Sequence, residues 1–173
     1  FLKLLRAAVR TPDQTEGDLW AQITGLVLLE QRLGDLMVEY GLDDLEMFAG
    51  DILGRCERAM RAAIASLPDG TYTHAFQTDG LEEPFTYKVA ITVKGEAIHV
   101  DYAGTSPQVD RAINCTLTYT FAMTAYALKC ALLPNLPNNE GIFRTIEVSA
   151  PEGSIVNPRF PAAVGGRMAT GHY

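Results

Sequence analysis

Apolar residues recur at helical spacing through the first part of the chain. Leu19, Ile23, Leu26, Val27, Leu33, Leu36, Met37 and Tyr40 share one face of a helix. Thr15 and Asp18 occupy N-cap and N3 positions for its start, in the manner of a capping box, and Gly41 ends it. A second helix is expected from Asp43 or Asp44. It carries Leu45, Phe48, Ile52, Cys56, Met60, Ala63 and Leu67 on one stripe and stops at Pro68-Asp69-Gly70. The short link at Gly41 predicts an antiparallel helical hairpin.

The period then changes to two. Thr71 to Thr78 and Phe85 to Val93 read as strands, Lys94-Gly95-Glu96 as a hairpin turn, and Ala97 to Tyr102 as the returning strand. In that last strand Ile98, Val100 and Tyr102 alternate with His99, Asp101 and Ala103. A run of turn residues follows. Asn114 stands where it would cap a helix running to about Leu133, which is apolar nearly all round and so expected to be central. Pro134 to Asn139 breaks it. Ile142 to Ala150 reads as a further strand, Pro151-Glu152-Gly153 as a turn, and Ser154 to Asn157 as a short extended piece. No repeat or low-complexity segment interrupts this order. The sum is an α+β fold with a mostly antiparallel sheet and one central buried helix. Residues 1–68 form a helical hairpin region and residues 69–173 an α+β region.

Composition narrows the partners. The chain has 173 residues, 47% of them hydrophobic, enough for one sizeable core or two small ones. Asp and Glu number 21 against 14 Lys and Arg, a net charge of -7, which argues against nucleic acid as the main partner. No apolar run reaches the roughly 20 residues that span a bilayer. Cys56, Cys115 and Cys130 are odd in number and widely spaced, as expected of free thiols in a reducing cytoplasm. Cys56 and Cys130 fall on apolar stripes and are expected in the core. The chain opens on Phe1 within FLKLLRAAVR and closes on GGRMATGHY, where a helix is about to start. Both ends read as parts of a longer polypeptide.

Familiar catalytic signatures are absent. There is no GxxxxGK[ST] loop and no HExxH, and His74, His99 and His172 are too scattered to predict a metal site. Three polar stretches remain. The first holds Asp101, Thr105, Ser106, Gln108, Asp110 and Asn114. Turn and cap chemistry explains it, and so does a polar nest that holds an anion while Asp101 supplies a charge or a base. The second, Asn138 to Arg144, suits either a surface turn or a carboxylate or imide edge against Arg144. The third, Pro151 to Gly166, follows an irregular path fixed by prolines and glycines, as at a site or a domain interface.

Four stretches, in order, carry a resemblance. They are VRTPDQTEGDLWAQI (9–23), RCERAMRAAIASLPDGTY (55–72), VDYAGTSPQVDRAIN (100–114) and IEVSAPEGSIVNPRFPAAVGG (146–166). The chain resembles the hydantoinase B/oxoprolinase family, the B subunit of N-methylhydantoinase and the matching half of 5-oxoprolinase. The resemblance implies part of an ATP-dependent cyclic-amide hydrolase that is inactive as a lone segment. In that scheme a hydantoinase A-type ATPase subunit takes up ATP and Mg and phosphorylates the ring carbonyl oxygen, and the B part helps open the ring. ATP-dependent carboxylases of acetone and acetophenone resemble the same subunits. The family's His- and Asp-rich segment, associated with metal in the carboxylase branch, and its glycine-rich region lie outside this chain, so no metal ligand is assigned here. On this reading Asp101, Thr105 and Ser106 are the candidate catalytic residues. Gln108, Asn114, Arg144, Asp18 and Gln22 are the candidate substrate contacts. The rival expectation is a non-catalytic scaffold that packs against the ATPase partner.

Overall fold

The computed structural model describes residues 1–80 and 83–166, so His172 and most of GGRMATGHY lie outside it. The chain divides into two compact units, Phe1–Ala49 and Gly50–Tyr173.

The first unit contains α1 (Leu2–Ala8) and α2 (Pro12–Tyr40), and it ends within the first turn of α3 (Glu46–Ala65). Arg6 of α1 pairs with Asp13 and Glu16 of α2. The expected capping box at Thr15 is corrected. α2 starts a turn earlier, with Thr11 as N-cap and Pro12 as its first residue. Proline fixes a helical φ and lacks only an N–H that would be unsatisfied there anyway, so it outweighs the Thr15 signal. The helix ends at Gly41, in left-handed conformation, as the sequence predicts. None of the α2 side chains is buried, and Trp20, Leu26, Leu28 and Leu29 are each at least half exposed.

The second unit is built on a four-stranded sheet in the order β1-β2-β3-β4. Strands β1 (Gly70–Thr78), β2 (Phe85–Lys94) and β3 (Ala97–Asp101) are antiparallel, and β4 (Ile146–Ser149) joins β3 in parallel. The alternation read in the sequence holds: Ile98 and Val100 are buried, while His99 and Asp101 face the other side. Cys56, Met60 and Ile64 of α3 bury against Val93, Ile98, Val100 and Ile146 of the sheet. A smaller cluster joins Tyr87 to Ile155 and Val156.

Three local expectations are overturned. The helix α4 (Leu117–Leu132) is capped by Thr116, whose hydroxyl accepts from Tyr119 N, and not by Asn114. Its buried stripe is Thr120, Thr124 and Ala125, while Leu117 and Tyr126 are exposed. Cys130 lies on that outer side and is exposed, whereas Cys56 and Cys115 are buried. The strand expected from Ile142 begins only at Ile146, because Asn139 caps a short helix, α5 (Glu140–Phe143). Asn139 accepts from Gly141 N with its Oδ1 and donates from Nδ2 to Cys56 Sγ.

Candidate functional site

Where β3 ends, the chain has to satisfy the edge of β2. β3 pairs with β2 only from Ala90 onward, which leaves the groups of Thr86 and Lys88 open on that side. Side-chain hydroxyls take over. Thr105 Oγ1 accepts from Lys88 N at 3.1 Å and donates to Lys88 O at 3.1 Å. Ser106 Oγ accepts from Thr86 N at 2.9 Å, and Ser106 N donates to Thr86 O at 2.8 Å. Backbone groups of a part-buried strand edge are costly to leave without a partner, so these hydroxyls serve the fold. Gly104 makes the turn possible: its φ of 85° lies in the left-handed region, and a Cβ there would sit 3.0 Å from Lys88 Cδ.

Asn114 is fully buried and closes the same loop. Its Oδ1 accepts from Val109 N, and its Nδ2 donates to the carbonyls of Val109, Arg111 and Ala163 at 2.7–3.0 Å. Gln108 Oε1 accepts from Arg159 N, and Gln108 N donates to Gly153 O. The irregular 151–166 stretch is thus stitched to the 104–114 loop. Ser106 and Gln108 also line an open cleft of about 660 Å³, with Asp110 and Arg111 beside them.

Asp101 stands at the strand end with a different set of partners. Its Oδ1 accepts from Ala103 N at 3.1 Å and from Ser149 Oγ at 3.0 Å. Ser149 Oγ is in turn 2.9 Å from His99 Nε2. β3 supplies His99 and Asp101 two residues apart, and the register of β4 sets Ser149 opposite Asp101. The next residue, Tyr102, turns inward and its hydroxyl meets Thr124 Oγ1 at 2.7 Å; burial pushes its phenol pKa up.

Along the same sheet face, His99, Thr92, Lys94, Arg144 and Glu147 line a groove of about 330 Å³. Arg144 also donates to Glu57 Oε2 at 3.2 Å, and Arg61 donates to Glu57 Oε1 at 2.8 Å. Arg61 first, and Arg144 second, hold the Glu57 carboxyl below its ordinary pKa. A depressed carboxylate pKa adds stability above the unfolded-state pKa, and this is lost as pH falls through the lower folded value. Arg144→Ala is therefore expected to move the acid-unfolding midpoint of the complete subunit slightly upward. The effect is small because the pair is solvent-exposed. An unchanged midpoint in an acid titration followed by circular dichroism would show the pair to be inert.

The structure thus divides the residues expected from the sequence. Ser106 and Gln108 share the larger cleft, and Arg144 shares a groove with His99. Thr105 and Asn114 are buried within the loop. Asp18 and Gln22 are exposed on α2 in the first unit. Ser149 is a residue that sequence reasoning misses. Ser149 alternates with the apolar Ile146 and Val148 as Glu147 does, which marks no site, and its partners lie 48 and 50 residues away. Among the described residues no three His, Cys, Asp or Glu side chains gather to hold a metal ion.

The family model described as Hydantoinase B/oxoprolinase matches residues 1–173. The chain is 34% identical to the B component of a proposed D-/L-hydantoinase of Pseudomonas sp. strain NS671, over 98% of this chain and 31% of that protein. It is 27% identical to the 5-oxoprolinase of Saccharomyces cerevisiae, over 88% of this chain and 12% of that protein. The crystal structure of the ATP-dependent caprolactamase from Pseudomonas jessenii superposes with a TM-score of 0.77 at 28% identity, covering 98% of this chain and 30% of that one. The chain therefore spans less than a third of each of these relatives.

Proposed function

Because the chain belongs to the hydantoinase B/oxoprolinase family, we propose that it is part of a B-type subunit that opens cyclic amides at the expense of ATP. The whole-chain family match carries this reading, and the likeness to the ATP-dependent caprolactamase supports it. The chemistry has a clear physical need. A lactam or imide carbonyl is a poor electrophile, and phosphorylating its oxygen makes the carbon open to water. Attack then requires a base and donors for the developing charge. The nucleotide and its Mg belong to an ATPase partner of the hydantoinase A type, and the assembly works in the cytoplasm. No described helix is long and apolar enough to cross a membrane.

Asp101 organises the polar end of β3, and Gln108 offers a polar edge in the neighbouring cleft, which Ser106 also lines while its hydroxyl accepts from Thr86 N. Arg144 provides the cation for an anionic group. Thr105 and Asn114 hold the loop in shape, while Asp18 and Gln22 are contacts offered by the helical unit. A scaffold role for that unit is favoured by one observation: α2 leaves Trp20, Leu26, Leu28 and Leu29 exposed, an apolar surface that assembly with the ATPase partner would cover.

The test uses the complete subunit co-purified with its ATPase partner. Phosphate release is followed with hydantoin, N-methylhydantoin, 5-oxoproline, caprolactam, and acetone with bicarbonate, and products are identified by mass. Ring-opened product coupled to ATP turnover is the expected result. A carboxylated ketone, or ATP turnover with no ring-opened product, would overturn the hydrolase reading. Asp101→Ala separates site from scaffold: a slower rate in an intact assembly supports the site.

A further inference from the structure

His99 and Asp101 leave β3 on the face away from the core, and Ser149 of β4 lies between them. A serine hydroxyl has one proton. Ser149 donates it to Asp101 Oδ1, so at 2.9 Å it accepts from His99, and Nε2 carries the hydrogen. This fixes the imidazole tautomer and its plane. The remaining nitrogen, Nδ1, keeps a lone pair in the neutral ring. Ala103 N donates to the same carboxylate oxygen, so the far end of the chain is anchored by backbone in an Asx turn. A base oriented by a second group, itself held by a third, is the arrangement acid–base catalysis uses.

We propose that His99 is the catalytic base of ring opening, with Ser149 and Asp101 as positioning residues; this rests on the cyclic-amide reading above. His99 is half-buried and lines the 330 Å³ groove, which is open to a small ring. The charged groups around it are Asp101 on its own strand, Lys94 from β2, Glu147 from β4 and Arg144 just before β4. The two cations suit the negative charge of an activated substrate. In the step, Nδ1 takes a proton from water as the water oxygen bonds to the ring carbonyl carbon. The carbon–nitrogen bond then breaks, and the proton passes from Nδ1 to the leaving ring nitrogen. The added hydroxyl gives up its proton to solvent as the carbonyl reforms, which leaves a ring-opened acyl phosphate; a second water then releases inorganic phosphate and forms the free acid, and His99 has returned to its neutral form. Asp101, acting through Ser149, holds the imidazole ring in place through the step.

The experiment uses the complete subunit with its ATPase partner and a cyclic amide that the wild type opens. His99→Ala is expected to lower kcat about 100-fold, within the range for loss of a general base. KM for the amide should change by less than about threefold, as expected for loss of an interaction made mainly in the transition state. Added imidazole, small enough for the groove, should restore about tenfold of the lost rate in His99→Ala and leave the wild type unchanged. Ser149→Ala should lower kcat while Ser149→Thr, which keeps the hydroxyl, retains it. Wild-type kcat in His99→Ala would overturn the proposal. So would a rate loss that imidazole does not relieve, in a variant that assembles and melts normally. If the wild type opens no cyclic amide, the cyclic-amide reading itself fails and takes this inference with it; an active wild type beside an equally active His99→Ala removes the inference alone.

Discussion

Asn114→Asp is expected to lower the stability of the complete protein by about 4 kcal/mol, the cost of a buried charge without a partner. In melting temperature that is a fall of roughly 10 °C for a cooperative unit of this size. The change keeps shape and volume, so packing is not at issue. The present amide donates to three carbonyls, those of Val109, Arg111 and Ala163, while its oxygen receives Val109 N. A carboxylate keeps the last bond, loses the other three, and sets its charge against three carbonyl oxygens in a site closed to solvent. Protonation offers partial relief, since a carboxyl O–H donates to one carbonyl. The defect should therefore be smaller in acid, where the raised pKa of the buried group lets it become neutral. A thermal scan near neutral pH that matches wild type would show that the amide is not the knot of this loop.

Gly141→Ala is expected to cost about 3 kcal/mol, the upper end for overpacking a close-packed interior. A Cβ at this position would lie 2.1 Å from Leu53 O and 2.9 Å from Leu53 C. Both are backbone atoms of α3, so no side-chain rotation relieves the clash. The helices must separate, and Ile142, fully buried beside Gly141, moves with them. Because α5 leads directly into β4, the shift should also disturb the Ser149 link to Asp101 and His99. A denaturant titration of the complete subunit tests this. An unchanged midpoint would mean that α3 and α5 yield at little cost.

These two effects differ in how far they can be read from the chain. The loop around Asn114 is marked by its residue types: Gly104, Thr105, Ser106 and Pro107 are what turns use. The asparagine itself reads as a helix cap, because a cap is the local use of asparagine before an apolar run. Its real partners include Ala163, 49 residues away. Gly141 has no signal of its own, since the atom it must avoid belongs to another helix.

Features that depend on neighbours a few residues apart are legible in the chain. The hairpin of β2 and β3, its turn at Gly95, the stop of α2 at Gly41 and the outward face shared by His99 and Asp101 all follow from periodicity and turn chemistry. The family was legible for a similar reason: four short motifs keep their order along the chain. Which polar groups are consumed by the fold and which remain open depends instead on long-range packing. Thr105 and Ser106 carry the hydroxyls a site would use, yet both bond to β2 because β3 stops short of its lower half. Cys130 is exposed because α4 buries one stripe against the sheet, and apolar residues on every face conceal which stripe that is. Ser149 reaches Asp101 and His99 only through the parallel register of β3 and β4. Such pairings are set by how sheet and helices dock, and spacing along the chain carries no record of them.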